Sequence, residues 1–417
     1  MYPAIPCSAR VTGNYSAKFT ILTRGRDHSL TPFGDSLRLQ LPAWHICYLV
    51  GHRAVAQQPV RVEVHGSVGD IAEEWERLAD TVNAAPFLRP AWTHAWWASF
   101  GAGRLEIVTL RDDQDGSLAA LIPLRRRLGR QLSASNWHTP QFGMVAAGPE
   151  AAAALAAALF ERGPAELSLG FVDATSPELA LYRAAAGAAG YRVLERSLER
   201  SPYVTTTGTW EAFTRERLSR NRRSQLGRAR RRLEREGGTT FELADGRERL
   251  EELLAEAFGV EASGWKGAEG TAIASRPETL RFYREVAGWA AGQGWLRIAF
   301  LRLEGRALAT MLLLETDGVL YYLKGGYDPA FERCSPGMVL LASVIEHAFG
   351  TGTRRVELLG GDEPYKLAFT SDVQGKRRFQ AFAPSAPGLV SMAAFRYGRP
   401  LARRALDTAR RARGAKH

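Results

Sequence analysis

Apolar and polar positions along this chain fall into two rhythms, and the change from one to the other marks out the elements. From residue 60, VRVEVHG alternates with period two, as a half-buried strand does. DIAEEWERLADTV (70–82) then places apolar residues at helical spacing behind an aspartate cap. LEIVTLRDDQDGSLAALIPLRRR (105–127) predicts two strands about an Asp-Gly turn. AAAALAAALFERGPAELSLGFVD (151–173) predicts an alanine-rich helix, a Gly-Pro stop and a strand.

The same grammar returns. LRIAFLRLEGRALATMLLL (296–314) repeats the strand-turn-strand, and VLLASVIEHAFGTGTRRVELLGGD (339–362) repeats the helix-Gly-strand. Leu105 to Leu296 spans 191 residues, while Gly163 to Gly352 and Asp173 to Asp362 each span 189. Two segments that agree at an offset of about 190 residues are hard to explain by shared propensity alone. The pattern predicts an internal duplication and two similar α/β domains. A proline in ERSPYVTT (199–206) marks the junction. The expected organisation is a poorly ordered extension over 1–58, a first domain over 59–200, a second over 201–385 and a basic helical tail over 386–417.

Composition narrows the class. Of 417 residues, 45% are hydrophobic and 24% charged, as in a soluble globular protein. Cys7, Cys47 and Cys334 form neither a CxxC motif nor an even framework, which favours a reducing cytoplasm. The eight histidines form no ligand pair at helical spacing, so no structural metal is expected. No run approaches the roughly 18 apolar residues of a membrane span, and the first forty residues lack the pattern of a signal peptide. A cytoplasmic protein, with some attachment to the inner membrane face left open, is the expectation.

The net charge of +11 is regional. RERLSRNRRSQLGRARRRLER (215–235) holds ten arginines against two glutamates, and much of the remainder lies in the tail after residue 396. Leu218, Leu226, Ala229 and Leu233 fall on one face of the predicted arginine helix and can pack while the arginines stay wet. Three readings of that helix stand: tRNA or another nucleic acid through its phosphates, anionic lipid or an acidic polysaccharide, and a plain solvated face.

VLYYLKGGYDPAFERCSPGMVLLASVIEHAFGTG (319–352) raises the chemical question. It predicts a strand over 319–324, a tight turn at Gly325-Gly326 and a helix over 337–349. With strands at 306–314 and 354–359 it completes a β-β-α-β unit. The splayed end of a strand beside a helix start makes a slot for a pantetheine arm and its pyrophosphate. Lys324, Gly325, Ser335, Pro336, Gly337 and Met338 are the candidate binding residues. The plainer reading is that Ser335-Pro336 simply starts a helix.

YYLKGGYDPAFERCSPGMVLLASVIEHAFGTGTRRVELLGGDEPYKLAF closely resembles the carboxy-terminal half of GNAT-related acyltransferases of the FemAB-like and cellulose-biosynthesis (CelD-type) group, with their BioF-like acetyltransferase domain. PFLRPAWTHAWWASF (86–100), LSRNRRSQLGRARRRLEREG (218–237) and SGWKG (263–267) fit it in order and spacing. The resemblance covers about residues 60 to 384. It implies an α/β (α+β) chain of tandem GNAT-like domains, each a mixed twisted sheet flanked by helices, with the site in or beside the second.

The activity implied is acyl transfer, most simply of acetyl from acetyl-CoA to an amine or hydroxyl of a sugar or cell-envelope or exopolysaccharide precursor. ERCSPGM (332–338) stands where the usual Arg/Gln-x-x-Gly-x-Gly/Ala phosphate loop would be. The donor therefore remains open between a CoA thioester, a charged tRNA, as in FemAB-type transfer, and another activated acyl group. A non-catalytic nucleic-acid-binding protein on this scaffold is the rival from another class. Direct transfer asks for a base and an acid near the donor. In GGDEPYK (360–366), Asp362 and Glu363 are candidate bases, Tyr365 an acid and Lys366 a charge stabiliser. Tyr327 is a second candidate acid. Trp265 and Lys266 would line the acceptor side, and His138 would reach it from the first half. A polar turn with a packed tyrosine, a core Trp265 and an incidental Cys334 are the plainer readings.

Overall fold

Strands with one buried and one wetter face must find neighbours, and here nearly all of them find the same sheet. The computed structural model describes residues 60–264, 270 and 272–398. The first half supplies β1 (Val60–His65), β2 (Arg104–Asp112), β3 (Leu118–Arg127), β4 (Arg130–Ser133), the short β5 (Val145–Ala146), β6 (Glu166–Asp173) and β7 (Arg192–Thr205). The second supplies β8 (Thr239–Ala244), β9 (Leu296–Leu303), β10 (Arg306–Thr316), β11 (Val319–Tyr327), β12 (Arg355–Glu357) and β13 (Val373–Phe382). They form one mixed 13-stranded sheet in the order β1-β2-β3-β4-β6-β13-β7-β12-β11-β10-β9-β8, with β5 against β3. This is the mixed α/β architecture that the pattern predicts.

The halves repeat each other in register. β4 runs parallel to β6, with Arg130 opposite Glu166. β11 runs parallel to β12, with Val319 opposite Arg355. Each residue of the second pair lies 189 residues after its counterpart in the first, the offset read from the sequence.

The halves also exchange their last strands. β13 comes from the end of the second half, yet it pairs with β6 of the first. β7 closes the first half in sequence, yet its end, Tyr203–Thr205, pairs with β12. Along the rest of its length β7 pairs with β13, which joins the two sheets into one.

Helices cover both faces. In the first half, α1 (Ala72–Thr81) lies on one face. On the other, α3 (Pro149–Glu161) and α4 (Glu178–Ala188) bury Leu155, Leu159 and Tyr182 against Leu167, Leu169 and Phe379. α2 (Pro90–Phe100) crosses over, and its Trp92 meets Phe282 edge to face at 5.2 Å. Truncating such a buried indole to alanine costs about 3–5 kcal/mol. In the second half, α5 (Trp210–Arg217), α6 (Arg220–Glu236) and α9 (Pro336–Gly350) cover one face. α7 (Leu250–Ser263) and α8 (Pro277–Gly292) cover the other.

Leu226, Ala229 and Leu233 of the arginine helix, with Leu218 just before it, are buried as their spacing requires. α10 (Ala386–Ala393) opens the basic tail. Among the described residues no helix is long and apolar enough to cross a membrane.

One local expectation is corrected. The strand over 319–324 does not stop at its glycines. β11 continues through Gly325 and Gly326 to Tyr327, paired with β10 on both sides of a bulge at Leu323.

Candidate active site

β12 pairs with β11 only over Val319–Tyr321, so the remainder of β11 parts from its parallel neighbour. A cleft of about 550 Å³ opens there, bounded by β11, the end of α7, the start of α9 and the loop after β12. The glycines are explained by what passes behind them. A Cβ on Gly325 would lie 2.6 Å from the Tyr322 hydroxyl and 2.7 Å from the Thr310 carbonyl. On Gly326 it would lie 2.6 Å from the Glu261 Cα, which is backbone and cannot give way. The glycines let β11 pack closely on Tyr322 and α7 while their main chain lines the cleft.

A bulge aims the side chains of β11. Between Leu312 and Leu313 the register with β10 slips: Lys324 faces Leu312, but Tyr322 faces Leu313. Leu323 is the extra residue, and it reverses the alternation. Tyr322 thus packs beneath α9 and lines the cleft. Lys324 turns to the opposite face, its ammonium 5.8 Å from the centre of the Tyr283 ring. The sequence expectation put Lys324 in the donor slot; the structure places it outside the cleft lining.

The helix start borders the cleft. Ser335 adopts a left-handed conformation (φ 50°), and its carbonyl accepts from the Met338 and Val339 amides at 3.1 and 3.2 Å. Pro336 has no N–H and is buried under the first turn. Ser335, Gly337 and Met338 line the cleft. A Cβ on Gly337 would press on the Tyr327 ring at 3.3 Å, so the first turn stays open there. First-turn amides of a helix carry partial positive charge and suit an anion.

The loop after β12 is held by Lys366. Its buried ammonium donates to the Leu359 carbonyl at 2.5 Å and the Gly361 carbonyl at 3.3 Å, and pairs with Glu363 at 2.8 Å. Leu359 and Gly360 both take positive φ to wrap around it. Three oxygens for three protons make Lys366 the staple of the loop. Asp362 points away from the cleft and pairs with Arg200 at 3.1 Å. Glu363 and Tyr365 face the cleft.

Tyr322 and Tyr365 line the cleft together, and burial pushes Tyr322 up to about 12. The Tyr365 ring keeps 43% exposure, yet crowding of its hydroxyl, then Tyr322 and Glu363, raise it too. Burial and the neighbouring Glu332 raise Tyr327. All three phenols therefore remain proton donors at neutral pH.

Glu261 is the residue that sequence reasoning missed. It sits buried in the last turn of α7, faces the cleft, and accepts the Ile273 amide at 2.9 Å. Its only signal is a carboxylate on the apolar side of a helix. His138 lies elsewhere: its Nδ1 is 3.2 Å from the Tyr283 hydroxyl, and its ring stacks on Phe100 at 5.1 Å. Burial, then the charges of Lys324 and Arg276, push it down to about 4, so it is a neutral member of an aromatic cluster. Trp265 and Lys266 lie outside the described residues. Cys334 is buried in the core.

The arginine helix borders the loop that leads into α9. Arg230 pairs with Glu346 at 2.6 Å, and Arg232 donates to the Arg333 carbonyl at 2.7 Å.

Comparison with known proteins bears on the same region. Residues 220–367, which hold α6, β11, α9 and the Lys366 loop, match the family model described as acetyltransferase (GNAT) domain. No curated protein matches the sequence. Among solved structures, the C-terminal domain of a putative lysylphosphatidylglycerol synthetase from Agrobacterium fabrum is 17% identical, with 78% of this chain and 96% of that chain covered and a TM-score of 0.49. FemX is 12% identical over 77% of this chain and 96% of its own, at a TM-score of 0.48. A tandem GNAT protein from the clavulanic acid biosynthesis pathway is 10% identical over 78% and 100%, at 0.42. At these values the three are recorded as likenesses and carry no conclusion about chemistry.

Proposed function

We propose that this chain is an acyltransferase that moves an acyl group, acetyl in the simplest case, from a CoA thioester to an amine or hydroxyl acceptor. The observation that carries the reading is the cleft itself. β11 parts from β12 beside a helix that starts at an open glycine, within the segment that matches an acetyltransferase domain. The wall at Gly325 and Gly326 accommodates an extended thioester arm, and the positive end of α9, with the Gly337 amide, accommodates its diphosphate.

The acceptor attacks the thioester carbonyl, forming C–N or C–O as C–S breaks. Glu363 takes the acceptor proton, and the Tyr365–Tyr322 pair supplies one to the departing thiolate. Glu261 lies at the other wall and orients the acceptor. Lys366 positions Glu363 and Tyr365 by fixing their loop. A sugar or cell-envelope precursor is the acceptor class carried forward from the sequence resemblance.

Calorimetric titration with acetyl-CoA tests the donor. Micromolar binding that is lost in Gly337→Glu supports the reading, and heat unchanged by that substitution, or none at all, overturns it. Glu363→Gln should bind as before and lower kcat by about 10²–10³-fold.

A charged-tRNA donor is the second reading, and the exposed arginines of α6 beside the cleft loop favour it. Its mark is tRNA binding that falls steeply with salt and disappears when Arg222, Arg223, Arg230 and Arg231 are neutralised.

A further inference from the structure

The first half holds a cavity of about 530 Å³ of quite different character. It opens on the face of β6 beyond the end of β4, between the β3–β4 hairpin and β13. Four arginines line it, Arg125, Arg127, Arg130 and Arg378, and no carboxylate does. Glu166 neutralises Arg130 through two hydrogen bonds, at 2.7 and 2.8 Å. Among the described residues, neither Arg125 nor Arg127 has an ion-pair partner, and the buried Nε of Arg125 has no hydrogen-bond partner. Burial and the like charges of Arg127 and Arg130 act against the Arg125 cation.

Neutral donors complete the lining. The buried Ser133 hydroxyl accepts from the Gly170 amide at 3.1 Å and from Ser135 at 2.7 Å. Its two acceptor positions are filled, so its own proton is left to donate. At the rim Trp137 is 69% exposed, its ring set edge-on against Phe171 at 5.2 Å. A large indole held on a neighbouring ring and presented to solvent is a platform for a flat group.

The geometry points to this cavity as a second binding site, for a phosphate ester that carries a ring. The phosphate sits among Arg125, Arg127 and the Ser133 hydroxyl, and the ring lies on Trp137. Two guanidiniums without an ion-pair partner, beside a hydroxyl donor, suit the dense charge and three oxygens of a phosphate better than a single carboxylate. The site is built from the first half and β13 alone, so it stands independently of the acyl-transfer reading.

Phenyl phosphate, inorganic phosphate and benzoate, titrated calorimetrically into the full chain, separate the contributions of charge and ring. Phenyl phosphate should bind best, by about tenfold over benzoate and about fivefold over phosphate. Arg127→Glu should weaken both phosphates by at least about tenfold. Trp137→Ala should reduce phenyl phosphate to the level of inorganic phosphate and leave the latter alone. Both substituted side chains are exposed, and melting temperatures check that the variants fold. Gly337→Glu should change none of these affinities, which separates this cavity from the α9 helix start. Absence of heat with phenyl phosphate, equal binding of benzoate, or indifference to Arg127→Glu overturns the proposal.

Discussion

The two halves place the same strands in the same register, and they differ in which member of the parallel pair is longer. In the second half β11 has nine residues and β12 three, so β11 overhangs. Its free length becomes the wall of a cleft beside a helix start. In the first half β4 has four residues and β6 eight, so the overhang belongs to the other strand. There β13 pairs along β6, and the open space above β6 fills with arginines. A duplicated scaffold thus makes two unlike cavities by shortening one strand or the other. A few residues at a strand end redirect a site without disturbing the core beneath.

The largest test asks whether the halves are separable at all. Lys376 of β13 pairs with Asp173 of β6 at 3.2 Å, both buried. Lys376→Met leaves that carboxylate without its charge partner and should cost about 3–5 kcal/mol. Urea unfolding followed by probes in each half should still show one transition, at lower urea. Two transitions would mean that strand exchange does not couple the halves.

Next in size is a matched pair of glycine substitutions. Gly326→Ala drives a Cβ into the α7 backbone and should cost about 2–3 kcal/mol together with acetyl-CoA binding. Gly170→Ala, at the floor of the arginine cavity, meets nothing closer than 3.6 Å and should stay within about 0.5 kcal/mol. Equal losses from both, by denaturation, would erase the distinction between a tight wall and an open floor.

A smaller effect is confined to the first half. Burial pushes Glu178 up to about 7, against bonds from the Met144 amide and the Tyr182 hydroxyl. A carboxyl raised in the folded state stabilises it below the unfolded value of 4.5, and that stabilisation is lost as pH rises through about 7. Stability should therefore carry a downward contribution across that window, of up to roughly 1 kcal/mol per pH unit, and Glu178→Gln should remove it. An unchanged pH profile in the variant would be the contrary result. Smallest of all, Arg230→Ala breaks an exposed pair with Glu346 and should change stability by under about 0.5 kcal/mol. A larger loss in thermal melts would make α6 more than a wetted face.

Periodicity exposed the repeat because it depends only on which residues are apolar, and both halves keep the same buried faces. The buried stripe of α6 was legible for the same reason. The aim of Lys324 was not, because one bulged residue inverts every side chain beyond it and leaves no mark in the composition. Asp362 and Glu363 are adjacent in sequence, yet the Lys366 staple turns one toward Arg200 and the other into the cleft. Glu261 joins the site only through the packing of α7 across β11. The arginine cavity draws on positions from 125 to 378, so no local window of sequence contains it.

The exchanged strands also set an order of events at the ribosome. The half that is translated first is closed last. β6 cannot receive its antiparallel neighbour until residues 373–382 have been made, whereas β7 is waiting when β12 emerges. Until residues 373–382 have been made, the nascent chain therefore carries an unfilled edge at β6, and β13 serves as the closing clasp.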